Sequence, residues 1–165
     1  MKEIIIAGGC FWGVQHYFKK VKGIDKTIVG YINSTKNPIS YEEVCTQKYD
    51  AIEGVKLTYQ EKIISLDKIL ELLFRIIDPT SLDQQGGDYG HSYRVGAYYE
   101  QQEDALIIED FIFNQEQHYP KNIVFENKPL ISFCEAEEYH QDYLDKNPTG
   151  YCHVNMGCLN GHEIK

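Results

Sequence analysis

The chain has 165 residues, a formal net charge of −9 and 42% hydrophobic residues, enough for one domain with a core of its own. The acidic balance argues against a nucleic-acid partner, which needs a basic face, and no apolar run approaches the ~20 residues that cross a bilayer. Five cysteines (10, 45, 134, 152 and 158) without a secretory leader do not read as the disulfide framework of an exported protein. The expectation is a cytoplasmic chain whose thiols are buried, metal-bound or catalytic.

Glu3 to Ala7 ("EIIIA") reads as a short buried strand, and Phe11, Val14, Phe18 and Val21 recur at helical spacing. Between them lies "GGCFWG", residues 8 to 13. Residues 24 to 32 are β-branched and aromatic, a strand; 33 to 50 form a long polar loop with room for a short helical turn. Residues 52 to 60 alternate, with Val55, Leu57 and Tyr59 on one face. "SLDKILELLFRII" (65–77) is a helix capped by Ser65 or Asp67, and 78 to 94 is a second long loop. A strand over 95–99, an amphipathic helix over 101–118, strands over 122–126 and 130–134 and a helix over 136–144 follow. The last twenty residues have turn composition and no period. The pattern predicts an α+β fold, a two-layer sandwich of helices on a mixed sheet with a ferredoxin-like core. A flexible tail from about residue 146 completes a single catalytic domain, 1–165.

Cys10 stands where a strand hands over to a helix. Backbone N–H groups there lack partners and the helix dipole favours an anion, so a thiol at that point is expected to have a lowered pKa. The bland alternative is a small buried hydrophobe. Gly8, Gly9 and Gly13 permit close approach to the thiol. Phe11 and Trp12 form either core or an apolar wall suited to a methyl-bearing substrate. Glu53 shares the parity of Val55 and Leu57, and a carboxyl on that apolar face should stay protonated near neutral pH and act as an acid. A sheet-edge or ion-paired carboxylate is the alternative. Cys152 and Cys158 supply either a resolving thiol or, with His153 and His162, a zinc site that lacks the usual CxxC pairs. Tyr41, Tyr93 and Asp88 lie in the two long loops.

"GGCFWG", "PISYEEVC", "QGGDYGHSYR", "AEEYHQDYL" and "KNPTGYC" occur in that order. Together they resemble the A class of peptide methionine-sulfoxide reductases over nearly the whole chain. The resemblance implies Cys10 as nucleophile, Phe11 and Trp12 holding the substrate methyl, and Tyr41 and Tyr93 bonding the sulfoxide oxygen. It implies Asp88 fixing the site, Glu53 as the acid, and Cys152 resolving a sulfenic acid into an intramolecular disulfide. Cys158, six residues further on, is a candidate from the residues themselves, either as a direct resolver or as a second recycling thiol. The resemblance further implies selectivity for the S epimer, free or in proteins, thioredoxin as the dithiol donor, no metal or organic cofactor, and a role in repair under oxidative stress. The chain departs from the family in reading "YDAIE" before the glutamate, "GGD" for "GND", "HSYR" for "TQYR", and Cys134 for a tyrosine. The rival reading from the residues is a thiol peroxidase, which has no need of the Phe11–Trp12 wall.

Overall fold

The computed structural model describes residues 1–165. In chain order it forms β1 (Lys2–Gly8), α1 (Phe11–Lys19), β2 (Ile24–Ile32), α2 (Tyr41–Cys45), β3 (Ile52–Tyr59) and α3 (Leu66–Phe74). A small hairpin of β4 (Gln84–Gln85) and β5 (Asp88–Tyr89) precedes β6 (Val95–Tyr99) and α4 (Gln102–Gln115). The chain ends with β7 (Glu126–Pro129), β8 (Phe133–Glu135), α5 (Tyr143–Lys146) and irregular turns. The mixed α+β character expected from the alternating elements is present. No helix is long and apolar enough to cross a membrane.

The main sheet runs β7-β6-β1-β3-β2-β8, and only the β6–β7 pair is parallel. Its register puts Val55 opposite both Ile6 and Val29, and Glu53 opposite Tyr31. Alternation along the strands splits the core. Ile4, Ile6, Val55 and Leu57 meet Val14, Phe18, Leu70 and Leu73 of α1 and α3, while Ile5, Ala7, Ile32, Ile52 and Tyr98 pack on the other face. Each buried aliphatic of that size contributes ~1.5–3 kcal/mol, so the helix-covered face dominates folding. Ser65 caps α3 by accepting the Lys68 N–H at 3.1 Å. Ser40 and Glu43 close a reciprocal capping box that makes the short α2 a true helix inside the first polar loop.

Two expectations are corrected. Residues 136–144 do not form a helix. A 3-10 turn at Glu138–His140 is followed by Asp142 in the left-handed region (φ 54°), and α5 starts only at Tyr143. The Gln141 side chain wins the competition for backbone groups: its amide bonds Val29 N–H at 3.0 Å and the Val29 and Ala136 carbonyls at 2.9 and 3.0 Å. The strand expected over 122–126 lies at Glu126–Pro129 instead, where it adds to the β6 edge.

The C-terminal segment is irregular, but its end is tied down. Ile164 bridges to Val21, Lys22 N–H donates to the Glu163 carbonyl at 2.8 Å, and the Glu163 carboxylate takes a bidentate pair from Arg75 at 2.7 and 3.0 Å. Lys68 adds a third contact at 2.8 Å, and these cations hold the carboxyl below the usual range.

Candidate active site

The C-terminal end of β1, the start of α1 and the start of β3 meet beneath the second polar loop. Cys10 is the N-cap of α1, 7% exposed, and its side chain makes no capping hydrogen bond. Burial pushes its thiol pKa well above the ordinary value; the Glu53 and Asp88 charges push the same way, and only the Trp12 N–H opposes them. The expected lowering is thereby corrected: dehydration outweighs the helix terminus.

Glu53 is 2% exposed and accepts the Phe11 N–H at 3.2 Å. Burial raises its pKa to about 8, the Phe11 bond lowers it in part, and Asp88 adds to the rise. At neutral pH the group is a carboxylic acid, reached from β3 and bonded to the N–H of the residue that follows Cys10. Tyr41 opens α2 and Tyr93 closes the 3-10 turn at His91–Tyr93. Burial first, then the Glu53 charge, holds both phenols protonated, so both are hydrogen-bond donors. Asp88 sits in the β4–β5 hairpin with one carboxylate oxygen buried and unpartnered.

Phe11 and Trp12 divide the two roles a helix can give adjacent residues. Phe11 is buried, its ring 5.7 Å from Tyr31 and 5.3 Å from His140. Trp12 is half-buried; its indole N–H donates to His140 Nδ1 at 2.9 Å, and its ring stacks on Tyr143 at 3.7 Å and 10°. His140 is 1% exposed and also lies 4.4 Å from the Tyr41 ring. Burial lowers its pKa, which keeps Nδ1 free to accept. His140 and Tyr143 were not singled out from the sequence as site residues. The one available signal was a histidine inside "AEEYHQDYL", and a lone histidine usually reads as core. Glu137 accepts the Tyr41 N–H and the Tyr31 hydroxyl, both at 2.9 Å, and fixes the start of α2 against β2.

The C-terminal segment crosses α1 at Gly13. A Cβ there would lie 3.0 Å from both Cys152 Sγ and Val154 Cγ2, so glycine makes the crossing feasible. The Cys152 thiol is close enough to act electrostatically on Cys10. Cys158 lies elsewhere, at the end of α3, where Arg75 bonds its carbonyl at 3.1 Å and its thiol meets the Arg75 carbonyl at 3.8 Å. All five cysteines are free. Cys45 is exposed at the end of α2, and Cys134 is half-buried beside the Ile39 carbonyl at 3.7 Å. No three His, Cys, Asp or Glu side chains converge to hold a metal ion, so the zinc reading of Cys152, Cys158, His153 and His162 lacks a ligand set. The structure thus gathers Cys10, Glu53, Tyr41, Tyr93, Asp88, Phe11 and Trp12, sets Cys152 beside them, and leaves Cys158 apart.

The family model described as peptide methionine sulfoxide reductase matches residues 2–164. The chain belongs to the peptide methionine sulfoxide reductase family. It is 51% identical over 156 residues to the peptide methionine sulfoxide reductase MsrA of Mycoplasma genitalium, covering 94% of this chain and 99% of that protein. Its fold matches Mxr1 of Saccharomyces cerevisiae in reduced form with a TM-score of 0.89, at 35% identity over 93% of this chain and 91% of that one. It also matches Mxr1 in complex with Trx2, with a TM-score of 0.63, at 25% identity over 86% and 84% of the two chains. The protein is an oxidoreductase that reduces methionine sulfoxide. Two of the departures from the motifs of peptide methionine sulfoxide reductases of the A class meet in one polar cluster. His91 of "HSYR" bonds Asp50 of "YDAIE" at 2.8 Å and Asp83 at 3.0 Å, and Arg94 bonds Asp50 at 2.8 Å. The cluster ties the turn before Glu53 to the loop that carries Tyr93.

Proposed function

We propose that this reductase acts on the S epimer of methionine sulfoxide, free or in proteins, through a Cys10 sulfenic acid and an intramolecular disulfide. The observation that carries this reading is the buried carboxyl of Glu53, bonded at 3.2 Å to the N–H of the residue that follows Cys10 and raised by that burial to a pKa of about 8. The sulfoxide oxygen leaves sulfur only when its growing charge is met by a proton or by donors. Glu53 gives that proton, Tyr41 and Tyr93 donate hydrogen bonds, and Asp88 fixes the loop around them. The Cys10 sulfur attacks, and its own proton refills Glu53. The oxygen ends on the Cys10 sulfur, which is oxidised by two electrons as the sulfoxide sulfur is reduced to methionine. Both acidic groups favour their neutral forms before reaction, so the pocket starts with the two protons that this exchange uses. Phe11 and Trp12 take the methyl group.

Cys152 then attacks the Cys10 sulfenic acid, forming a disulfide and releasing water. An external dithiol of the thioredoxin type restores both thiols; the relative Mxr1 is known in complex with Trx2. Cys158 serves as a second recycling thiol, to which the disulfide can be passed from Cys152. The test is a single turnover without reductant, followed by peptide mapping. Methionine should form, and the first disulfide should join Cys10 to Cys152, in the Cys158→Ser variant as well. A variant that stops at the sulfenic acid when Cys158 is lost, while Cys152→Ser closes normally, would reverse the assignment.

The methyl wall has its own expected result. Trp12→Ala removes the indole that His140 and Tyr143 hold in place. Sulfoxide turnover should fall by about tenfold or more, since misplacing a reacting group by an ångström costs that much. Alkylation of Cys10 by iodoacetamide should change far less. If turnover and alkylation fall together with the melting temperature, Trp12 is core and not a wall.

A further inference from the structure

His153 immediately follows Cys152, and no role in the reaction has been given to it above. Its Nε2 lies 2.9 Å from the carbonyl oxygen of Gly8, the last residue of β1 and two residues before Cys10. A carbonyl only accepts, so Nε2 carries the proton and donates. Nδ1 is then the bare nitrogen, and it is buried without a partner. The ring is therefore held by one directed bond. A Cβ on Gly9, which has φ +86°, would lie 3.1 Å from Nε2, and a Cβ on Gly86 would lie 3.0 Å from the His153 Cβ. The imidazole fills the notch between the end of β1 and the hairpin loop that carries Asp88.

Neighbouring side chains of this segment point to opposite sides. The Tyr151 hydroxyl lies 3.6 Å from the Cβ position of Gly87, on the same hairpin as the His153 contact, whereas Cys152 Sγ meets Gly13 on α1. Anchoring residue 153 in the notch thus directs residue 152 toward the helix that Cys10 caps.

We propose that His153 is a positioning residue for disulfide formation: its bond to the Gly8 carbonyl seats the Cys152 segment against the strand end that presents Cys10. This rests on the resolving role proposed for Cys152. In the step concerned, the Cys152 sulfur bonds to the Cys10 sulfur, the Cys10 S–OH bond breaks, and the hydroxyl leaves as water with the Cys152 thiol proton. His153 takes no part in that exchange; it sets the distance over which it occurs.

The test is the single turnover without reductant, with methionine release, dimedone trapping of sulfenic acid and free-thiol titre followed together. In His153→Ala, methionine release should stay within about twofold of the parent protein. Disulfide closure should slow by about tenfold or more, and dimedone-reactive Cys10 should accumulate. His153→Gln places an amide N–H near the position of Nε2–H and should restore most of the closure rate, a rescue that a merely space-filling role would not give. Unchanged closure in His153→Ala, or a glutamine variant as slow as alanine, overturns the proposal. A parent-protein disulfide that maps to Cys10–Cys158 overturns the resolving assignment, and the proposal falls with it. A Cys10–Cys152 bond closing at full speed in His153→Ala overturns the proposal alone.

Discussion

Cys10→Ser is expected to abolish sulfoxide reduction and leave the fold intact. An alcohol is a far weaker nucleophile than a thiol, and its oxygen cannot take up the sulfoxide oxygen as sulfur does. The substitution is nearly isosteric, at a position 7% exposed, so no large cavity forms. Serine is also a preferred N-cap residue, whereas Cys10 makes no capping bond, so the melting temperature should hold or rise. The measurement is reduction of a sulfoxide-containing peptide with dithiothreitol, beside a thermal melt. Turnover surviving in a folded serine variant would remove Cys10 from the reaction.

Glu53→Gln should slow the first chemical step by about 10²–10⁴-fold, the usual cost of losing a general acid. Glutamine still accepts the Phe11 N–H but has no proton to give. The pH profile carries the same signature. With a carboxyl pKa of about 8, methionine release by the parent protein should fall as pH rises through that value, while the glutamine variant loses this limb. Stability should respond with the same sign. Between the ordinary 4.5 and about 8, the folded chain keeps a proton that the unfolded chain has released, so stability falls as pH rises across that window. The effect is on the order of 5 kcal/mol at most for a group this buried, and Glu53→Gln should flatten the slope. A rate loss under about threefold would shift the acid role to the tyrosines or water.

The parts of this site that could be read from sequence are those set by local pattern. The apolar run before "GGCFWG" and the helical spacing after it located Cys10 at the strand-to-helix junction, where α1 begins at Phe11. Strand parity put Glu53 with Val55 and Leu57, and it is buried with them. What pattern could not supply is anything decided by distant chain segments. The direction of the Cys10 shift depends on burial and on Glu53 and Asp88, residues far along the chain, and these overcome the helix terminus that the local sequence advertises. The helix expected over 136–144 does not form because Gln141 is drawn away by the backbone of Val29. His140 gains its place through Trp12, Phe11 and Tyr41, and it is 128 residues from Trp12.

The Arg75–Glu163 pair has a consequence for the energetics of each catalytic cycle. On one side of Cys152, α5 is fastened by the Trp12–Tyr143 stack and by Lys19 on Asp142 at 2.8 Å. On the other, Arg75 holds both the Cys158 carbonyl and the Glu163 carboxylate. The segment between them is a strap fastened at both ends, not a free arm. With Cys152 in the resolving role proposed above, the entropy of confining it near Cys10 is surrendered largely once, when the chain folds, instead of at every turnover. The thiol works at a high effective concentration, and its travel is limited to the slack between the two fastenings.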